Sequence, residues 1–343
     1  MGEKLKIAYA YLNGMTKITE SDAKILTHIN IAFGLIGSDG LLRTDGLRHM
    51  DMIPQIKRWN PSIKFVLSVG GWGAGGFSEM SRSDAGRKAF AQSCAKYVDE
   101  QGLDGIDIDW EYPCIDWGGI VSDSADKSNY TLLLGELRNA LGNDRILSVA
   151  VGAGEFFIAN TEMDKVADIC DYVQLMTYDM RAEGCFVAGH HTALYASEGD
   201  TEGRSVHDSV KRFIKAGVPA EKIVIGAAFY SRIWREVDTK DGADVNNALL
   251  KYGLMMPAKG EGVYGYSYNQ LVKEFIDKNG FVRYKDDKAM ASFLFNGSDF
   301  ISYDDPESIA AKCEYIKENG LLGIMYWEHG CDETHELIES IRL

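Results

Sequence analysis

Eight short apolar runs recur along the chain, at 5–11, 28–35, 64–69, 105–109, 146–151, 172–178, 223–229 and 322–327. Between them lie stretches with apolar residues at helical spacing, among them 86–100, 128–141, 204–215 and 306–318. Short apolar or alternating runs bounded by turn residues read as strands, and the 3.6-residue pattern reads as helix. Strand and helix in steady alternation predict a parallel sheet built from βα units, and eight units predict a (β/α)8 TIM barrel of the α/β class. A doubly wound open sheet is the competing arrangement. Against it, no glycine-rich phosphate loop follows the first strand, where Tyr9-Ala10-Tyr11-Leu12-Asn13 stands instead.

The chain has 343 residues, more than the about 250 typical of such a barrel. The excess falls between strand seven, which ends near Tyr230, and strand eight, which begins near Leu321. That span is about twice what one crossover needs. Within it, Val263-Tyr264-Gly265-Tyr266-Ser267-Tyr268 opens a different pattern, 269–278 reads as helix, and 281–284 and 292–295 read as strands. Residues 232–302 are therefore expected to form a small α+β insertion before the last strand, with 1–231 and 303–343 forming the barrel. The insertion would rise beside the barrel mouth, where the sites of this architecture lie.

The fourth strand carries the most informative chemistry, Asp104-Gly105-Ile106-Asp107-Ile108-Asp109-Trp110-Glu111-Tyr112-Pro113. Strand alternation puts Asp107, Asp109 and Glu111 on one face and Ile106, Ile108 and Trp110 on the other. Like charges about 6.6 Å apart along a strand repel and push at least one pKa upward. A carboxyl kept protonated near neutrality is what a general acid requires. One such acid would read as a solvated strand end; three on one face do not. Asp104 has the opposite parity, and a structural role is expected for it.

Other strand ends agree. Strand three finishes Ser68-Val69-Gly70-Gly71-Trp72, strand six Met176-Thr177-Tyr178-Asp179, strand seven Phe229-Tyr230-Ser231-Arg232, and strand eight Met325-Tyr326-Trp327-Glu328. Aromatic, Met and polar groups at one rim suit an amphipathic ligand such as a sugar, although core packing is the commoner role for any one of them.

Composition narrows the partners. The formal charge is −15, from 36 basic and 51 acidic side chains, which disfavours a duplex or an anionic membrane surface. No run approaches the about 18–20 apolar residues of a membrane span. The N-terminal apolar run is too short for a signal peptide, so no export signal is expected in the chain as it stands. Secretion would require a trimmed leader. The six cysteines form no Cys-x-x-Cys pair or Cys/His cluster, which makes a zinc site improbable; free thiols and bridges both remain open.

These motifs together resemble glycoside hydrolase family 18 chitinases. Asp104-x-x-Asp107-x-Asp109-x-Glu111 matches the acidic signature of that family, with Gly105, Trp110, Tyr112 and Pro113. Ser68-x-Gly70-Gly71 and Met176-x-Tyr178-Asp179 match its second and third motifs. Gly189-His190 with Leu194-Tyr195 resembles the loop after strand six, and 232–302 resembles the chitinase insertion domain. Strand seven departs, because Ala228 stands where many members carry proline; a minor backbone effect is expected.

The resemblance implies hydrolysis of β-1,4-linked N-acetylglucosamine polymers or oligomers, with retention, and with the substrate's own 2-acetamido group as nucleophile. Families of this kind are exceptions to the two-carboxylate rule. It implies Glu111 as general acid and base, Asp109 as the group that orients the acetamido N–H, Asp107 as the partner that holds a neighbouring proton, and Tyr178 as hydrogen-bond donor to the acetamido oxygen. Trp327 would floor the sugar, and Tyr9, Phe33, Trp72, Met176, Asp179, Tyr230 and Arg232 would line the cleft. No metal or organic cofactor is implied, and a monomer is expected. A non-catalytic chitin-binding lectin on the same fold, and a hydrolase of another 2-acetamido glycan such as an N-glycan core or peptidoglycan, are the alternatives. A divalent-metal site on the Asp cluster is disfavoured by the apolar surroundings and the lack of His ligands.

Overall fold

Eight parallel strands close on themselves: β1 (Leu5–Tyr11), β2 (His28–Ile36), β3 (Lys64–Gly70), β4 (Gly105–Asp109), β5 (Ile146–Gly152), β6 (Tyr172–Met176), β7 (Ile223–Ala228) and β8 (Gly323–Trp327). Each pairs with its neighbour, and β1 pairs with both β2 and β8, so the sheet has no free edge among these strands. The computed structural model describes residues 2–182, 185–238, 249–255 and 265–343. Helices lie between the strands, so the fold is the (β/α)8 TIM barrel that the alternation predicts. A two-residue strand, Leu42–Arg43, adds antiparallel to the end of β2 and was not expected.

Helix starts follow their caps. Asp84–Gln101 begins two residues earlier than the pattern suggests because the Ser83 side chain accepts from the Gly86 amide; Gly102, at a positive φ, ends it. Pro306–Glu318 matches its predicted bounds, with Asp305 and Ser308 forming a reciprocal cap.

Strand β6 stops at Met176, two residues short of the expected end. Its ladder with β7 ends at Leu175 and Ile225. Beyond that point the Thr177 hydroxyl takes over, accepting from the Gly226 amide at 2.7 Å and pairing with the Gly226 carbonyl at 2.9 Å. Tyr178 and Asp179 are thereby carried off the strand and onto the rim.

A second, antiparallel sheet lies between β7 and β8 in the chain. Its order is Val282–Asp286, Ala291–Phe295, Phe300–Tyr303 and Arg232–Trp234. Ile233, Leu294 and Ile301 join the large core of the barrel, whereas Trp234, Phe293, Phe295 and Phe300 form a separate cluster with Ala188 and Val237. Alternation thus makes both faces apolar. The helix expected at 269–278 is a short one, Tyr268–Gln270, continued by a wider turn at Leu271–Phe275. Val263 and Tyr264 lie outside the described residues. The six cysteines are free thiols. Among the described residues, no helix is long and apolar enough to cross a membrane.

Ile106, Ile108 and Trp110 face outward from the barrel into the layer beneath the helices, fully buried. The Trp110 indole stacks on Phe77 at 5.1 Å and meets Tyr130 edge-on at 5.9 Å. Replacing Trp110 with Ala is expected to cost about 3–5 kcal/mol, read as a lower denaturant midpoint at unchanged slope.

Candidate active site

β4 aims its carboxylates into the barrel and out of its C-terminal mouth. Gly105 lets β4 approach β5, since a Cβ there would lie 2.1 Å from the Ile146 carbonyl oxygen. Gly70 and Gly71, both at positive φ, let β3 bend over the end of β4, and the Gly71 amide donates to the Asp109 carbonyl at 2.9 Å. The Ser-x-Gly-Gly motif therefore fixes the backbone that carries Asp109.

Asp107 is wholly buried at the barrel axis and accepts four hydrogen bonds. Tyr9 and Ser68 donate to Oδ2, and Ser148 and Gln174 to Oδ1, each at 2.8 Å. Burial raises its pKa, and these four donors pull it back. Ser148 and Gln174 escaped the sequence reading. Their signal was a single polar residue at inward parity in an otherwise apolar strand.

Asp109 is also buried, yet its Oδ1 has no hydrogen-bond partner among the described residues. Burial, then the charges of Glu111 and Asp107, push its carboxyl well above the usual range. Glu111 is pushed up to about 7, first by burial; a hydrogen bond from Tyr112 opposes this and the charge of Asp179 adds to it. Two neighbouring carboxyls held up in this way titrate as a pair.

Asp179 takes the opposite course. Burial alone would raise it, but Arg232, at 2.7 Å from Oδ2, together with His191 and Tyr230, brings it down to about 2. Asp179 sits at a φ of 53°, and its amide donates to His191 Nδ1 at 3.3 Å. His191, buried beneath it, was not singled out from the sequence, because its reach to Asp179 depends on how the loop after β6 folds back. The Arg232 guanidinium lies 4.8 Å from the Tyr230 ring centroid, and Tyr230 meets Tyr178 edge-on at 6.0 Å. The Tyr178 hydroxyl reaches Met325 Sδ at 3.7 Å. Gly226 leaves room for this ring, because a Cβ there would be 2.8 Å from it.

On the opposite side, Phe33 stacks on Trp327 at 5.4 Å, with Tyr9 against the same indole at 5.8 Å. Tyr11 touches both Phe33 and Trp327, at 6.0 and 5.6 Å. It was missed, although it shares the strand parity of Tyr9. Met176 joins the cluster of Tyr9, Phe33, Tyr178 and Trp327. Trp72 stands apart from these, meeting Tyr112 at 6.3 Å. Asp104 lies at the far end of the barrel, where it ties β4 to β3 through Lys64 at 3.0 Å and the Phe65 amide at 2.9 Å. Among the described residues, no group of three or more His, Cys, Asp or Glu side chains could hold a metal ion.

A carboxyl held protonated near neutrality, ringed by flat aromatic faces at the mouth of a parallel barrel, is the layout of a glycoside hydrolase. Comparison with known proteins agrees. The model of glycosyl hydrolases family 18 matches residues 6–332, and the chain belongs to that family. Chitinase A1 of Niallia circulans is 34% identical over 86% of this chain and 44% of its own length. Chitotriosidase-1 of mouse is 29% identical over 91% of this chain and 68% of its own. The chain thus spans less than half of the former. Among solved structures, a family 18 N-acetylglucosaminidase from Paenibacillus barengoltzii is 46% identical over 99% of both chains, with a TM-score of 0.92. A Group IV chitinase of Ostrinia furnacalis in complex with allosamidin is 28% identical over 99% of this chain and 98% of its own, with a TM-score of 0.86.

The Asp179 carboxyl has a pH consequence. Its native pKa of about 2 lies below the ordinary 3.8, so ionisation stabilises the fold above about pH 4, and that stabilisation is lost as pH falls through about 2. Arg232→Met removes the largest counterweight to burial. The carboxyl should then titrate at higher pH, and acid destabilisation should begin earlier, as read by ¹³C-carboxyl NMR titration and acid unfolding.

Proposed function

We propose that this protein hydrolyses β-1,4-linked N-acetylglucosamine chains with retention, using the 2-acetamido group of the substrate as nucleophile. The observation that carries this reading is Glu111, a rim carboxyl held at about 7 two residues past the end of β4, close to a buried Asp109 whose Oδ1 has no partner among the described residues.

Glu111 gives its proton to the glycosidic oxygen. The C1–O bond breaks with its electron pair leaving on that oxygen, while the acetamido carbonyl oxygen bonds to C1 and forms an oxazolinium ion. Ionised Glu111 then takes a proton from water as the water oxygen adds to C1, which opens the ring and restores the acid. Asp109 Oδ1 accepts the acetamido N–H, the donor that its buried site otherwise lacks. The family resemblance puts the proton of the Asp107–Asp109 pair on Asp107; the four donors on its oxygens favour its ionised form and support the proton residing on Asp109 instead. Tyr178 donates to the acetamido oxygen, Trp327 floors the sugar, and Tyr9, Phe33, Met176, Asp179, Tyr230 and Arg232 line the glycone side. The described residues within 232–302 act as the insertion beside the cleft.

A second reading concerns where the chain is cut. The likeness to an N-acetylglucosaminidase along 99% of both chains favours release of single sugars from the end over internal cleavage.

Both readings meet one experiment, incubation of a chitin hexamer with the parent and with Glu111→Gln. The parent should cleave it, with kcat/KM falling as pH rises through about 7, where the acid loses its proton. Glu111→Gln should fold and bind the hexamer but lose about 10²- to 10⁴-fold in turnover. Monomer as the first product identifies end-on action, and mixed lengths identify internal cleavage. Binding without cleavage by the parent would make it a lectin, and parental rates in Glu111→Gln would refute the role of Glu111.

A further inference from the structure

The loop after β4 carries an indole that the cleft described above does not use. Trp117 opens a short turn, Trp117–Gly119, and is 47% exposed. Its ring rests on Phe156, from the helix after β5, at 5.0 Å, and meets Tyr112 edge-on at 6.1 Å. Tyr112 follows Glu111 directly and also meets Trp72, which is 61% exposed. Isolated exposed aromatics are ordinary. Two exposed indoles set on one shared tyrosine beside the acid are not isolated.

The loop that presents Trp117 is built to hold it. Asp126, fully buried, accepts from Ser78 Oγ at 2.8 Å and from the amides of Cys114 and Asp123 at 3.2 and 2.8 Å. These bonds fasten both ends of the loop to the helix that follows. In its middle, Gly118, at a φ of 69°, packs against the Gly73 backbone, where a Cβ would lie 3.0 Å from Gly73 and 3.5 Å from the Trp72 ring. The loops after β3 and β4 therefore meet through two glycines, and this contact brings the residue beside Trp117 against Trp72. A pre-set aromatic surface binds with little ordering cost.

Its position indicates what it takes. Trp327, Phe33, Tyr9 and Tyr11 stand on β8, β1 and β2, whereas Trp72, Tyr112, Trp117 and Phe156 stand on the ends of β3, β4 and β5. Glu111 stands just past the end of β4, within the second group and directly before Tyr112. If the sugar losing its bond lies over Trp327, the leaving part of the chain crosses Glu111 toward the second group. We infer that Trp117 is a specificity-determining residue, a sugar-stacking platform beyond Trp72 that binds a further N-acetylglucosamine unit of the leaving chain. This deepens the proposed function and rests on it. The consequence is that preference for long substrates is set on the leaving-group side, by a loop that chemistry at Glu111 does not require.

The test compares two substrates in the parent, Trp117→Ala and Trp117→Phe. One is a chitin pentamer; the other is an N-acetylglucosamine glycoside whose leaving group is a single phenol. For Trp117→Ala the ratio of kcat/KM on the pentamer to that on the phenol glycoside should fall about tenfold, mainly through KM, as loss of one aromatic contact implies. Trp117→Phe should recover most of it. An unchanged ratio, or equal loss on both substrates, would overturn the platform. If the parent cleaves neither substrate, the hydrolase reading fails on its own. Calorimetric pentamer binding then decides the platform, with about tenfold weaker binding in Trp117→Ala supporting it and equal binding refuting it.

Discussion

Everything at this site depends on the cost of holding three carboxylates along β4 and its exit at the barrel mouth. Asp107, Asp109 and Glu111 cannot all ionise cheaply in a barrel interior, where water no longer screens them and each negative charge opposes the next. The protein resolves this unequally. At the axis, four donors make ionised Asp107 tolerable. At the mouth, Asp179 is ionised against Arg232. Between these two charges, Asp109 and Glu111 have few compensating donors; burial and neighbouring charge push Asp109 well above the usual carboxylate range, and burial pushes Glu111 up to about 7. A proton is thus held at the barrel mouth by a gradient of hydrogen-bond supply along β4.

The rest of the barrel serves that gradient. Gly70, Gly71, Gly105 and Gly226 each stand where a neighbouring strand or ring approaches too closely for a side chain. Thr177 ends the β6 ladder so that Tyr178 and Asp179 leave the strand together. The outward row of Ile106, Ile108 and Trp110 supplies the apolar contacts that fix the strand carrying the charges.

Period and parity made much of this legible. Eight apolar runs were enough for the barrel, and alternation alone sorted Asp107, Asp109 and Glu111 from Ile106, Ile108 and Trp110. What parity could not give was which distant strands meet at the axis. Ser148 and Gln174 are unremarkable polar residues until the barrel closes and turns them toward Asp107. His191 and Trp117 lie on loops, whose paths depend on caps and glycine contacts that no periodic pattern encodes. Strand ends slipped for a related reason: a side-chain hydroxyl, not a backbone pair, terminates β6.

The central claim is that the nucleophile belongs to the substrate, with Asp109 managing it rather than attacking. The most direct measurement digests a partly deacetylated chitin and identifies the sugar at every newly formed reducing end by mass spectrometry. Only a sugar bearing an acetamido carbonyl can close the oxazolinium ring, so each new reducing end should be N-acetylated. A substantial share of glucosamine at those ends would show that the enzyme supplies its own nucleophile and would contradict the account.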